Sequence, residues 1–160
     1  MVMVVGLLLS YKKRKEEDEG NNNKNDKPLA NLLVVDDDSD ISYVLKQGLQ
    51  KNGFLVSAFT NPEEALKKFQ SNSGDYCLML SDIRMPGISG IRLARKVKEI
   101  NPNVKVVLMT SFEINDNEFS KVFPSTQVDG FVQKPVGIQN LTNKILDIIG
   151  ETKRRLPEQQ

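Results

Sequence analysis

Histidine is absent from the 160 residues. Its absence excludes a Ser-His-Asp or Cys-His catalytic site, histidine metal ligands and self-phosphorylation on histidine. One cysteine, Cys77, excludes an internal disulfide and any multi-cysteine zinc site within one chain, and a reducing compartment fits. Tryptophan is missing too. The longest N-terminal apolar run, Val2–Leu9, falls far short of the ~20 residues that span a bilayer. No glycine-rich phosphate loop is present, which argues against a nucleotide as phosphate source. Neither charge sign dominates: 22 Lys plus Arg against 21 Asp plus Glu leave +1, so nothing draws the whole chain to nucleic acid or to an acidic membrane.

What remains is an ordinary globular composition with polar ends, 39% hydrophobic and 27% charged, and a length that favours one domain. Residues 1–28 read as a flexible N-terminal tail. The apolar Val2–Leu9 is followed by a basic block, Lys12–Lys15, an acidic block, Glu16–Glu19, and an Asn-rich run. No cationic region precedes the apolar run and no small-residue cleavage site follows it, so it does not read as a signal peptide. A solvated arm is the plain reading and a weak membrane-surface tether the alternative; membrane contact through this tail is not expected. Residues 151–160 form a second polar tail. The segment 29–150 holds 13 basic and 14 acidic residues, is slightly acidic, and is long enough for one core.

Periodicity divides that segment into alternating strands and helices. Strands are expected at Leu32–Val35, Phe54–Phe59, Tyr76–Leu80, Val104–Met109 and Gly130–Gln133. Ser39 is positioned to cap a first helix with apolar positions Ile41, Val44, Leu45 and Leu49, ending at Gly53. Asn61-Pro62-Glu63-Glu64 supplies a cap, a first-turn proline and two acids for the second, with Ala65, Leu66 and Phe69 facing inward. Further helices are expected over Ile91–Ile100, weakly over Asp116–Val122, and around Ile138, Leu141, Ile145 and Ile148. Cys77, inside an apolar run, is expected to be buried.

Five βα units imply an α/β fold: a five-stranded parallel sheet with helices on both faces. Ligands bind such sheets beyond the carboxyl ends of the strands. The residues just past strands one, three, four and five are Asp36-Asp37, Asp82, Thr110 and Lys134. Clustered carboxylates repel one another, and a hard cation with oxygen ligands relieves that repulsion; Mg²⁺ suits best, since it uses few carboxylates and accepts phosphate oxygen. An ammonium and a hydroxyl beside it complete a receptor for a phosphoryl group, with an already ionised carboxylate as nucleophile.

Four pieces in order carry a family resemblance: Leu32-Leu33-Val34-Val35-Asp36-Asp37-Asp38, Ser81-Asp82-Ile83-Arg84-Met85-Pro86-Gly87-Ile88-Ser89-Gly90, Val107-Leu108-Met109-Thr110-Ser111, and Gly130-Phe131-Val132-Gln133-Lys134-Pro135. Together they resemble the receiver domain of two-component response regulators, across the whole 29–150 segment. The resemblance implies a (βα)5 flavodoxin-like fold and a phosphorylation-activated signalling switch of the stand-alone, single-domain type. It implies that Asp82 is the phosphoacceptor, that Asp37, Asp82 and the Arg84 backbone carbonyl bind Mg²⁺, and that Asp36 acts through a water. Thr110 and Lys134 would meet the phosphoryl oxygens, Phe131 falls at the aromatic switch position, and the Lys134-Pro135 bond is expected to be cis. Partners would be a sensor histidine kinase or phosphotransfer protein and an unnamed downstream protein, in the cytoplasm, with no nucleic acid bound by this chain alone. It would not be an enzyme in the turnover sense, though slow autodephosphorylation is implied.

Phe131 replaces the tyrosine of many members, and the stretch from Thr110 to Lys134 is slightly long, with Pro124 inside it. Arg84 and Phe112 are expected to flank the acceptor. Asp38 is left with two readings, extra charge or helix-start stabilisation. A haloacid-dehalogenase-like phosphohydrolase is the enzyme rival, because Asp36 and Asp38 fit its Asp-x-Asp motif, but it leaves Asp82 without a role. A phosphorylation-independent interaction module of the same fold is the other rival.

Overall fold

The computed structural model describes residues 27–111 and 127–154 together with positions 117 and 121, and side chains through residue 150. The elements in chain order are β1 (Asn31–Val35), α1 (Ser39–Lys51), β2 (Leu55–Phe59), α2 (Pro62–Ser71), β3 (Leu78–Asp82), α3 (Gly90–Ile100), β4 (Lys105–Thr110), β5 (Gly130–Gln133) and α4 (Ile138–Arg154). The five strands form one sheet in the order β2-β1-β3-β4-β5, every pair parallel. The expected helix over 116–122, with Phe112 and Pro124, lies outside the described residues apart from positions 117 and 121.

Hydrophobic burial on both faces organises the sheet. Leu32, Leu33, Val34 and Val35 have no exposed surface. Their alternate side chains feed two cores. Leu33 and Val35 join Ala65, Phe69, Leu93, Ala94 and Val97, beneath α2 and α3. Leu32 and Val34 join Leu45, Leu49, Leu141 and Ile145, beneath α1 and α4. Burying each such aliphatic chain stabilises the fold by about 1.5–3 kcal/mol relative to exposure. The order in which strands are added reverses between β1 and β3, so the crevice past their carboxyl ends is the topological switch point.

Several local expectations shift. The cap of α1 is Asp38, not Ser39: its side chain accepts from the Asp40 and Ile41 amides. Either residue type can cap, and here the chain turns one position earlier. The third strand begins two residues beyond the expected start, so Cys77 is exposed rather than buried. Tyr76, which made that run look continuous, leaves the sheet to stack on Phe69 at 6.0 Å and to donate to Ser57 Oγ at 3.0 Å. On α1, Leu45 and Leu49 are buried but Ile41 and Val44 are exposed. Asn61 caps α2 with Pro62 in its first turn, Gly53 has φ +95° after α1, and α4 runs four residues past Gly150.

Candidate functional site at the carboxyl edge of the sheet

Parallel register brings residues far apart in sequence to one edge. Asp36 follows β1, Asp82 ends β3 opposite Met109, and Thr110 ends β4 opposite Gln133. The Lys134 amide donates to the Thr110 carbonyl at 2.7 Å, which ties the start of the β5–α4 loop to the end of β4. The Lys134-Pro135 bond is cis.

Asp36 is buried and uses both carboxylate oxygens: Oδ1 accepts from the Asp38 amide at 3.0 Å, and Oδ2 from Lys134 Nζ at 2.7 Å. Lys134 Nζ also stands 3.3 Å from Asp82 Oδ1. Asp37 is exposed, and Asp82 is partly buried. Ligand oxygens of Asp36, Asp37 and Asp82 lie within 4.8 Å of one another. Three carboxylates facing one ammonium leave an excess of negative charge. That donor set fits a hard divalent cation such as Mg²⁺, which prefers oxygen ligands.

The electrostatics follow from this crowding. Burial pushes the Asp82 carboxyl above the usual carboxylate range; the Lys134 ammonium opposes the shift, while Asp36 and then Asp37 add to it. For Lys134, burial works to lower the pKa, but the hydrogen bond and charge of Asp36, with the charge of Asp82, outweigh it and hold the ammonium above its ordinary value.

The loop after Asp82 is held from beneath. The Ile83 amide donates to the Met109 carbonyl at 3.1 Å, and the Gly90 amide to the Ile83 carbonyl at 2.8 Å. Met85 is buried, and Gly87 takes φ +82°, a backbone state suited to glycine. At Gly90 a Cβ would collide with the Asp82 carbonyl oxygen, so only glycine lets α3 start this close to Asp82. Ser89 caps α3 through the Arg92 amide. Arg84 is exposed, in a shallow cleft with Ile83, Met85, Pro86 and Ser89.

Thr110 is buried at the end of β4. Phe131 is partly buried, opposite Leu108 in the register, and packs on the core beneath α2 and α3. Asp38 does not join the acidic group among the described residues; its carboxylate caps α1, which removes the partner that the Asp-x-Asp phosphohydrolase reading requires. Two features had no clear mark in the sequence. One is the tight Asp36–Lys134 pair. The other is an apolar groove of about 650 Å³ between α1 and the β5–α4 loop, lined by Ile41, Val44, Met109, Pro135, Val136 and Ile138. The role of Gly90 could have been suspected from its place eight residues after Asp82, at a helix start.

The profile of the response regulator receiver domain matches residues 32–146. The receiver protein CpdR of Brucella abortus is 32% identical over 118 residues, covering 73% of this chain and 94% of that protein. The DNA-binding transcriptional regulator NtrC of Proteus hauseri is 41% identical over 81 residues, covering 51% of this chain but 17% of the regulator. Among solved structures, a receiver domain protein from Clostridium thermocellum superposes with a TM-score of 0.70 at 29% identity, covering 79% of this chain and 98% of that one. The response regulator TrrA of Thermotoga maritima, solved with Mg²⁺ and BeF, gives 0.63 at 34% identity, covering 75% of this chain and 99% of that one. The chain therefore belongs to the response regulator receiver domain family, the phosphorylation-dependent switches of two-component signalling.

Proposed function

We propose that Asp82 accepts a phosphoryl group from a phosphohistidine on a partner sensor histidine kinase or phosphotransfer protein. The convergence of Asp36, Asp37 and Asp82 beside Lys134 carries the proposal. An Asp82 carboxylate oxygen forms the new P–O bond as the P–N bond breaks, and the electron pair of the broken bond stays on the imidazole nitrogen. The carboxylate is the nucleophile in its ionised form and needs no base, which fits a chain without histidine. Lys134, 3.3 Å from Asp82, offers a fixed positive charge to the transferring oxygens, and the Thr110 hydroxyl offers a hydrogen bond.

Asp37, Asp82 and the Arg84 carbonyl would hold Mg²⁺ directly. Asp36, with both oxygens already engaged, suits an outer position through a water. The cation, when bound, supplies charge neutralisation on the phosphoryl oxygens.

Phosphorylation adds about −1.5 to −2 charges and new acceptor oxygens. Thr110 moves toward them, Phe131 turns into the space behind it, and the face that carries β5 and α4 changes shape for a downstream protein; the helix expected over 116–122, the third part of that face in the family pattern, lies outside the described residues apart from positions 117 and 121. Moving that balance from 1:99 to 99:1 takes about 5.5 kcal/mol of differential stabilisation. Slow autodephosphorylation resets the state, and relay or phosphate-sink roles are compatible with the same chemistry. The receiver domain, expected over 29–150, extends with α4 to residue 154, with 1–28 and the remainder of 151–160 outside it, in the cytoplasm. No helix among the described residues is long and apolar enough to cross a membrane.

Beryllofluoride tests the proposal. With Mg²⁺ present, fluorine NMR is expected to show a bound signal on the wild type and none on Asp82→Asn, with slowed amide exchange at residues 130–135. A wild type that binds no beryllofluoride under those conditions overturns it.

A further inference from the structure

We infer that the apolar groove between α1 and the β5–α4 loop is the docking site of this chain's own N-terminal segment, Val2–Leu9, with the basic block Lys12–Lys15 lying toward its acidic end. The groove is open where the sequence pattern calls for cover: Ile41 is 36% and Val44 56% exposed, although both occupy apolar positions of an otherwise buried helix stripe. Pro135, Val136 and Ile138 form its opposite wall, and its inner end is Met109 and Lys134. Such a surface loses free energy to water at about 25 cal/mol per Å² until something apolar covers it.

Three observations select this occupant. The first is composition: Val2, Val4, Val5, Leu7, Leu8 and Leu9 concentrate aliphatic side chains in one short stretch that no part of the described core uses. The second is reach. The Leu29 amide is bonded to the Gly53 carbonyl, just past the end of α1. Val44 and Ile41 lie nine and twelve residues before Gly53, about 14–18 Å back along the helix at 1.5 Å per residue. The linker Ser10–Pro28, as a coil of about 5–6 Å × √n, has an end-to-end distance of about 22–26 Å, so the docked position falls within its ordinary range. Tethering at that length gives millimolar effective concentrations.

The third is charge order. Asp40 lines the groove, and Lys134 at its inner end is paired with Asp36 and Asp82, part of a group whose negative charge exceeds that one ammonium. Lys12, Lys13, Arg14 and Lys15 follow the apolar segment after only Ser10 and Tyr11. The helix α1 carries Lys46 and Lys51, opposite in sign to Glu16–Glu19.

Methyl NMR on the full chain tests the docking without phosphorylation. Between the wild type and a Val4→Asp/Leu8→Asp variant, the Ile41, Val44, Val136 and Ile138 methyl resonances are expected to move by more than a linewidth. Those of Leu55 and Ile100, exposed elsewhere, stay in place. Val44→Lys, on an exposed position that tolerates charge, is expected to shift the same groove resonances and those of Leu7–Leu9. Raising salt from about 0.1 M to about 1 M contracts the screening length from about 10 to about 3 Å and is expected to release the Lys12–Lys15 resonances. Unchanged groove resonances in the Val4→Asp/Leu8→Asp variant overturn the inference. So do shifts that vanish on dilution, which would assign the groove to a second copy. Broadening of Val2–Leu9 by anionic phospholipid vesicles with the groove unaffected would assign the segment to a lipid surface instead.

Discussion

The Lys134 ammonium is held by the buried carboxylate of Asp36 at 2.7 Å and stands farther, at 3.3 Å, from the proposed acceptor Asp82. One cation thus compensates a buried charge and faces the reacting one. Lys134→Ala is expected to destabilise the metal-free protein by about 3 kcal/mol, because it leaves Asp36 charged and unpaired in the interior. The same loss of positive charge is expected to tighten Mg²⁺ binding. Urea denaturation with and without Mg²⁺, together with titration calorimetry, checks both signs.

Asp82 has its pKa raised, chiefly by burial, so the fold favours its protonated form. The stability linked to that form is fully present below the ordinary value of 3.8 and is lost as pH rises through the higher folded value. Asp82→Asn, neutral at every pH, is expected to become more stable than the wild type as pH climbs past that range, by on the order of 1 kcal/mol. Mg²⁺ is expected to narrow the gap. For Lys134, also raised, the linked stability is present below the ordinary 10.5 and falls only above it. Thermal melts across pH on both proteins provide the check.

At Gly90 the added methyl of alanine meets backbone, not a yielding side chain. Gly90→Ala is expected to cost about 1–3 kcal/mol and to lower phosphoryl acceptance by displacing the Asp82 loop. Chemical denaturation and acceptance assays should move together in this variant, whereas a far core truncation moves stability alone.

Asp38 caps α1 through two amides and stays out of the acidic group. Asp38→Ala is expected to cost about 1 kcal/mol, and Asp38→Asn, which keeps the acceptor oxygen, only a few tenths. Mg²⁺ affinity should change little in the Asn variant. Asp37→Asn should do the reverse, weakening Mg²⁺ binding while sparing the helix.

Much of this site was legible because the strands are buried on both faces and each ends abruptly in a polar residue. Leu32–Val35 before Asp36 and Gly130–Gln133 before Lys134 placed two corners of the site without any contact information. Boundaries were less legible where an apolar residue serves the core from a loop. Tyr76 extends the third strand's pattern yet packs on Phe69, and Cys77 then falls on the surface. Asp38 and Ser39 are both cap formers, so type alone did not choose between them. The Asp36–Lys134 pair joins residues 98 positions apart, and pairing at that range leaves no local pattern. Helical spacing marked Ile41 and Val44 as apolar, but whether a neighbour covers them is a tertiary fact.

The most direct test treats the purified chain with Mg²⁺ and acetyl phosphate and locates any added group by mass spectrometry, in the wild type and in Asp82→Asn. The account predicts a Mg²⁺-dependent adduct of about 80 Da, one phosphoryl group, on Asp82 of the wild type and none on the variant. A wild type that gains no adduct, or a variant that keeps it, would contradict the account; the first result would favour an interaction module of the same fold that works without phosphorylation.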